Sequence, residues 1–109
     1  MASGLNGQSF AFNGYLPVAD AERDARIRQI EDESRRQQRT QLFIETPYRN
    51  ERLFDALLDV CAPTTRLCIA RDLNTGNEWI HTCPVAQWRK AARPDLARRP
   101  ALFLILAGI

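Results

Sequence analysis

Apolar positions along this chain fall into short runs separated by polar, helix-forming stretches. In "SFAFNGYLP", Phe10 and Phe12 alternate with smaller residues until Gly14 and Pro17 break the pattern, which predicts a strand entering a turn. Residues 20–38 are rich in Arg, Glu, Gln and Ala, with Asp20, Glu22 and Asp24 in a first turn where the helix dipole favours acids. The apolar stripe of that helix is thin (Ala21, Ile27, Ile30), so it is expected on the surface as the least firmly held element. "TQLFIET" reads as a second strand. Asn50 then stands where it can cap a helix whose Leu53, Phe54, Leu57, Leu58 and Cys61 recur on one face, and Pro63 closes it.

"TRLCIARDL", "NTGN" and "EWIHTC" read as strand, turn and strand, a hairpin. Pro84 suits the first turn of a helix, "PVAQWRKAA", with Val85, Trp88 and Ala92 on one side. After a loop holding Pro94 and several arginines comes "ALFLILAGI", a run short enough for a strand buried on both faces. The order is β-α-β-α-β-β-α-β, an α/β (α+β) fold with a mixed five-stranded sheet and covering helices. Strand order within the sheet is not fixed by this pattern.

A chain of 109 residues supports one core, so residues 1–109 read as one domain. Net charge is +2, with Lys90 the single lysine. Residues 20–39 balance six acids against six arginines, whereas Arg89, Lys90, Arg93, Arg98 and Arg99 face only Asp95. That basic strip is a candidate nucleic-acid contact, although a solvated face is its plainer reading. Cys61, Cys68 and Cys83 lie in or beside apolar segments without CxxC spacing, as buried thiols of a reducing compartment do. With one histidine, His81, no metal site is expected. No stretch is apolar and long enough to span a bilayer, and "MASGLNGQ" lacks the features of a secretory signal, so a cytoplasmic protein without membrane contact is expected.

Two places change abruptly from apolar to polar: Glu45-Thr46-Pro47-Tyr48-Arg49 after Ile44, and Ala70-Arg71-Asp72-Leu73 at the end of the third strand. In open sheets ligands collect beyond the carboxyl ends of strands, where loops and helix N-termini replace side-chain packing. A strand that feeds a cleft must exchange burial for hydrogen-bonding groups within a residue or two, as both segments do. The same residues also have a purely structural reading: Glu45 pairs with Arg71 or Arg49, Thr46 and Pro47 make a turn, and Tyr48 is core. No dinucleotide or P-loop signature is present. Trp79 and Trp88 are candidates to stack on bases; Trp88 lies on the apolar side of its helix and reads as core, while Trp79 is open to stacking or core.

"SGLNGQSFAFNGYLP", "TQLFIETPYRN", "RLCIARDL" followed by Glu78, and the terminal "ALFLILAG" together resemble the second domain of the tetrapyrrole methylase superfamily. Within it they are most similar to the branch of the bacterial small-subunit rRNA ribose 2′-O-methyltransferase. The resemblance runs through nearly the whole chain in the correct order. It implies an S-adenosylmethionine-dependent methyltransferase of two domains with the cofactor between them, of which this chain is the C-terminal one and an N-terminal methylase domain is missing.

Carried onto this sequence, the resemblance implies cofactor contacts from Glu45, Thr46, Pro47, Ala70, Arg71, Asp72, Leu106, Ala107 and Gly108, and a substrate side formed by Tyr48 and Arg49. Glu45 and Asp72 are the candidate catalytic carboxylates. Ribosomal RNA or the small subunit is the expected partner, with a homodimer as the expected assembly. This chain has Asn74-Thr75-Gly76-Asn77 where the rRNA branch often has a Thr-Lys pair, and it lacks a Gly-Thr near His81-Thr82-Cys83. A corrin or porphyrin substrate, or a non-enzymatic dimerisation or binding module, therefore stands as the alternative.

Overall fold

The terminal apolar run becomes the middle of the sheet. In the computed structural model, which describes residues 10–73, 75–91, 94–96 and 99–107, with Tyr48 described by its backbone alone, the elements follow the expected order. They are β1 (Phe10–Tyr15), α1 (Asp20–Gln37), β2 (Thr40–Ile44), a 3-10 turn (Pro47–Arg49) leading into α2 (Asn50–Val60), β3 (Arg66–Arg71), β4 (Trp79–Pro84), α3 (Val85–Lys90) and β5 (Ala101–Leu106). Strand order is β1-β2-β5-β3-β4. Among the described residues, only β1 and β2 are parallel neighbours; β5 is antiparallel to both β2 and β3, and β3 and β4 form the expected hairpin. With partners on either side, β5 has no open edge, which is why its sequence is almost uniformly apolar.

Side chains alternate between the two faces of the sheet. Phe43, Phe103, Ile105, Leu67 and Ile69 join Ile27 and Ile30 of α1, Phe54 and Leu57 of α2, and Trp88 of α3 in one core. Phe43 and Phe103 stack at 6.2 Å between centroids, and Trp88, whose indole N–H donates to the Leu67 carbonyl at 2.8 Å, meets Phe54 edge-on. The alternate set, Leu42, Leu102, Leu104, Leu106, Cys68 and Ile80, forms a second cluster on the other face, which no described helix residue joins. Along β1, Phe10, Phe12 and Tyr15 are 53%, 61% and 62% exposed.

α1 is better fastened than its thin stripe suggests. Two buried polar residues complete that stripe: Glu31 Oε2 accepts hydrogen bonds from the Ala62 N–H (2.7 Å) and the Thr65 hydroxyl, and Ser34 Oγ accepts one from the Ala107 N–H (3.0 Å). Asn50 also departs from expectation. It opens α2 but caps nothing; its buried amide donates to the Leu96 and Arg99 carbonyls at 3.3 and 2.6 Å, tying the loop before β5 to the helix.

All three cysteines are buried and free, and burial pushes each thiol up. For Cys61 burial is the largest cause and neighbouring Glu31 the next, and together they bring it to about 12 from 9.0. The folded state therefore holds this proton more tightly than the unfolded state. Its contribution to stability is fully present below about pH 9 and is lost as pH rises toward about 12. Urea unfolding at stepped pH checks this: wild type is expected to lose more stability than Cys61→Ala across that window, and parallel curves would contradict it.

Candidate functional site

Because β1 and β2 run together, and β5 reverses direction between β2 and β3, three strand carboxyl ends and one amino end meet at the same edge of the sheet. Tyr15, Ile44-Glu45 and Ala70 to Leu73 arrive from below, and Pro100-Ala101-Leu102 enter from the loop. Between them lies a cavity of about 450 Å³, with Pro47 and Thr75 completing its wall. Both polar junctions thus reach one cavity.

The expected residues divide by position. Glu45, Pro47, Ala70 and Asp72 line the cavity; Thr46, Arg49 and Arg71 are adjacent to it without lining it. Glu45 is nearly buried and its Oε1 accepts from its neighbour's N–H (Thr46, 2.8 Å) and from Arg49 Nε at 3.3 Å. Thr46 Oγ1 is buried with no hydrogen-bond partner among the described residues. Strand alternation sends Ala70 to the cavity and Arg71 to the helix side, where its guanidinium lies 5.0 Å over the Trp79 ring and donates to the Asp95 carbonyl.

Leu106 and Ala107 are far from the cavity. Leu106 pairs with Arg66 whereas Leu102 pairs with Ala70, so the carboxyl end of β5 is roughly 13 Å from the cavity end. Expecting the last strand to approach with its carboxyl end assumed a parallel strand; an antiparallel one presents its amino end, Pro100 to Leu102. Gly108 and the Tyr48 side chain lie outside the described residues.

Asp72 holds the most specific geometry. Its φ is +53°, in the left-handed region, where a non-glycine residue calls for an explanation. The Asp72 N–H donates to the Pro100 carbonyl (3.0 Å), and its own carbonyl accepts from the Thr75 hydroxyl (2.7 Å) and N–H (3.2 Å). Arg99 Nη1 reaches Asp72 Oδ2 at 2.7 Å while its Nε reaches Asp95 Oδ2 at 3.1 Å. The hydrogen bond to Asp72, then those to Asp95, pushes the Arg99 guanidinium further toward its charged form.

No family model matches the sequence. Full-length proteins do: "Ribosomal RNA small subunit methyltransferase I" of Pseudomonas aeruginosa is 33% identical over 108 residues, 98% of this chain and 37% of that protein. Its namesake in Vibrio cholerae is 31% identical over 110 residues, 98% of this chain and 36% of that protein. By sequence, nearly the whole chain is similar to a segment of the small-subunit ribosomal RNA methyltransferases. Solved structures agree on the fold. The methyltransferase CobJ superposes with a TM-score of 0.59 at 18% identity, covering 96% of this chain and 44% of that one. Uroporphyrin-III C-methyltransferase from Thermus thermophilus, complexed with S-adenosylhomocysteine, gives 0.51 at 19%, covering 98% and 48%. The mixed five-stranded sheet is thus that of the tetrapyrrole methyltransferases. This chain spans little more than a third of the length of its rRNA methyltransferase relatives.

Tyr15, Ile44, Thr75 and Pro100 to Leu102 belong to the cavity, yet carried no role in the sequence reading. Tyr15 stood inside the GYLP motif, the one available signal, and the structure pairs it with Ile44. The β5 contribution depended on strand direction, which pattern does not encode.

Proposed function

We propose that this chain is the C-terminal, cofactor-cleft domain of an S-adenosylmethionine-dependent methyltransferase acting on small-subunit ribosomal RNA. The observation that carries this is the placement of one cavity at the confluence of three strand carboxyl ends and the amino end of β5, in a chain alignable over 98% of its length with rRNA methyltransferases. The cavity fits part of such a cofactor: its walls at Ile44, Ala70 and Leu102 are apolar, as a flat ring requires, while Asp72 and Thr75 supply polarity at one side.

When bound, S-adenosylmethionine supplies an electrophilic methyl group on a sulfonium. The residues of this chain contribute by orientation and by excluding water, and alignment of reactants alone lowers barriers by about 7–11 kcal/mol in the best cases. Glu45 is committed to Thr46 and Arg49, so its role is to brace the turn after β2. The remaining wall of the cleft belongs to an N-terminal methylase domain. The exposed rings of Phe10 and Phe12 offer area for that domain or for a second copy in a homodimer. A corrin or porphyrin substrate is supported by fold alone, whereas the rRNA reading has sequence behind it.

The test is a chimera in which this chain replaces its aligned segment in the Pseudomonas aeruginosa relative. It is expected to transfer labelled methyl groups from S-adenosylmethionine to small-subunit rRNA. A chimera that folds and binds the cofactor but leaves the RNA unlabelled would sink the reading.

A further inference from the structure

We propose that Asp72 accepts a hydrogen bond from a ribose hydroxyl of a nucleoside held in the cavity, and that Arg99 is its positioning residue. The proposal rests on the cleft reading above and names the chemical group that this side of the cleft grips.

Of the two carboxylates lining the cavity, Asp72 is the one held in both main chain and side chain by the loop that enters the cavity before β5. Glu45 Oε1 is taken up by its own turn. Asp72 has a side chain 13% exposed and one ion pair, through Oδ2; Oδ1 has no partner among the described residues. An ionised carboxylate offers about four acceptor sites, so a nearly buried one with a single ion pair retains capacity that a ligand donor can use.

Its direction is fixed from three sides. The main chain is clamped between Pro100 and Thr75, and the left-handed φ turns the residue away from the continuing strand. Arg99 restrains the side chain while anchored to Asp95, and the Arg99 carbonyl is itself held by the buried Asn50 amide. A sequence of contacts therefore runs from the start of α2, through the loop before β5, to one carboxylate oxygen at the cavity. A surface ion pair needs no such support.

The ligand class follows from the surroundings. Ile44, Ala70, Leu73 and Leu102 provide apolar walls suited to a heteroaromatic ring, and the carboxylate at their polar side favours a neutral donor over an anion. A nucleoside joins a flat ring to vicinal hydroxyls. Phosphate, or the carboxylate arms of an acidic macrocycle, would meet like charge at Asp72. Two riboses share this chemistry, that of the methyl donor and that of the RNA substrate.

The experiment uses this 109-residue chain, amide-resolved NMR titration, and probes that differ only in hydroxyls. Adenosine is compared with 2′,3′-dideoxyadenosine, and a short oligoribonucleotide with its deoxy counterpart. The wild type is expected to prefer the hydroxylated member of one pair, with shifts at Asp72, Thr75 and Ala101. Asp72→Asn, which tolerates the left-handed backbone, is expected to weaken that member about tenfold or more while leaving the hydroxyl-free probe unchanged. Arg99→Gln should reduce the same preference, and Arg99→Lys restore part of it, as a role in orienting the carboxylate requires.

Preference within the adenosine pair assigns the methyl donor's ribose; preference confined to the oligonucleotide pair assigns the substrate's. Equal weakening of both members, or no preference in the wild type, would overturn the proposal. A chimera that methylates RNA while the wild type shows no hydroxyl preference, or while Asp72→Asn keeps the wild-type preference undiminished, overturns this inference alone. A chimera inactive on RNA beside a selective Asp72 overturns the rRNA reading instead.

Discussion

Glu31→Ala is expected to lower the unfolding free energy by about 3–4 kcal/mol, measured by urea denaturation with the slope m unchanged. Glu31 is almost fully buried, and its Oε2 accepts from both the Ala62 N–H and the Thr65 hydroxyl, more than thirty positions away. Hydrogen bonds to a charged group contribute about 1.5–3 kcal/mol each, and alanine would leave both donors buried without a partner. Arg35, 3.9 Å from the same oxygen and 45% exposed, adds little to this. Out of a total of about 5–15 kcal/mol for an ordinary domain, the loss would be a large share. Glu31→Gln keeps an acceptor oxygen and should lose less; equal losses in the two variants would show that packing, and not hydrogen bonding, is at stake.

The second large effect concerns Ala70. In the chimera described above, Ala70→Leu is expected to reduce methyl transfer about a hundredfold or more, because a larger side chain enters the space that the reacting molecule needs. Ala70 is buried at the carboxyl end of β3 and lines the cavity, across from Leu102 in the β3–β5 register. Overpacking in a filled core costs about 1–3 kcal/mol, but here a cavity of about 450 Å³ adjoins the new carbons, so stability should change by less than that. Folded protein with full turnover would mean that the cavity is unrelated to methyl transfer.

Elements whose position is set by local pattern were legible in the sequence. The alternating strands, the α2 stripe, the hairpin around residues 72–78 and the doubly buried last strand all follow from period and punctuation. Features set by distant partners were not. Glu31 and Ser34 read as ordinary polar positions on a weak helix, because their bonding partners lie in the α2–β3 connection and beyond β5. Asn50 looked like a cap because asparagine favours caps; a loop nearly fifty residues downstream claims its amide instead. At the cavity, the two apolar-to-polar junctions legible in the sequence reach one edge of the sheet. Side-chain alternation, applied strictly, would have separated Ala70 from Arg71. The direction of β5, and with it the exchange of Leu106 and Ala107 for Pro100 to Leu102, depends on topology that no single-sequence pattern specifies.

That topology also constrains how the molecule is made. β5 follows the other four strands of the described sheet, yet it alone joins the β1–β2 pair to the β3–β4 pair. Until it emerges from the ribosome, the two halves of the sheet present open hydrogen-bonding edges and unpacked phenylalanines to each other and to neighbouring chains. Assembly must then be completed late, by insertion between two waiting ribbons, a step of long sequence separation that is slow and open to aggregation. Synthesis would therefore leave this chain most in need of a chaperone in the interval just before its last strand is available.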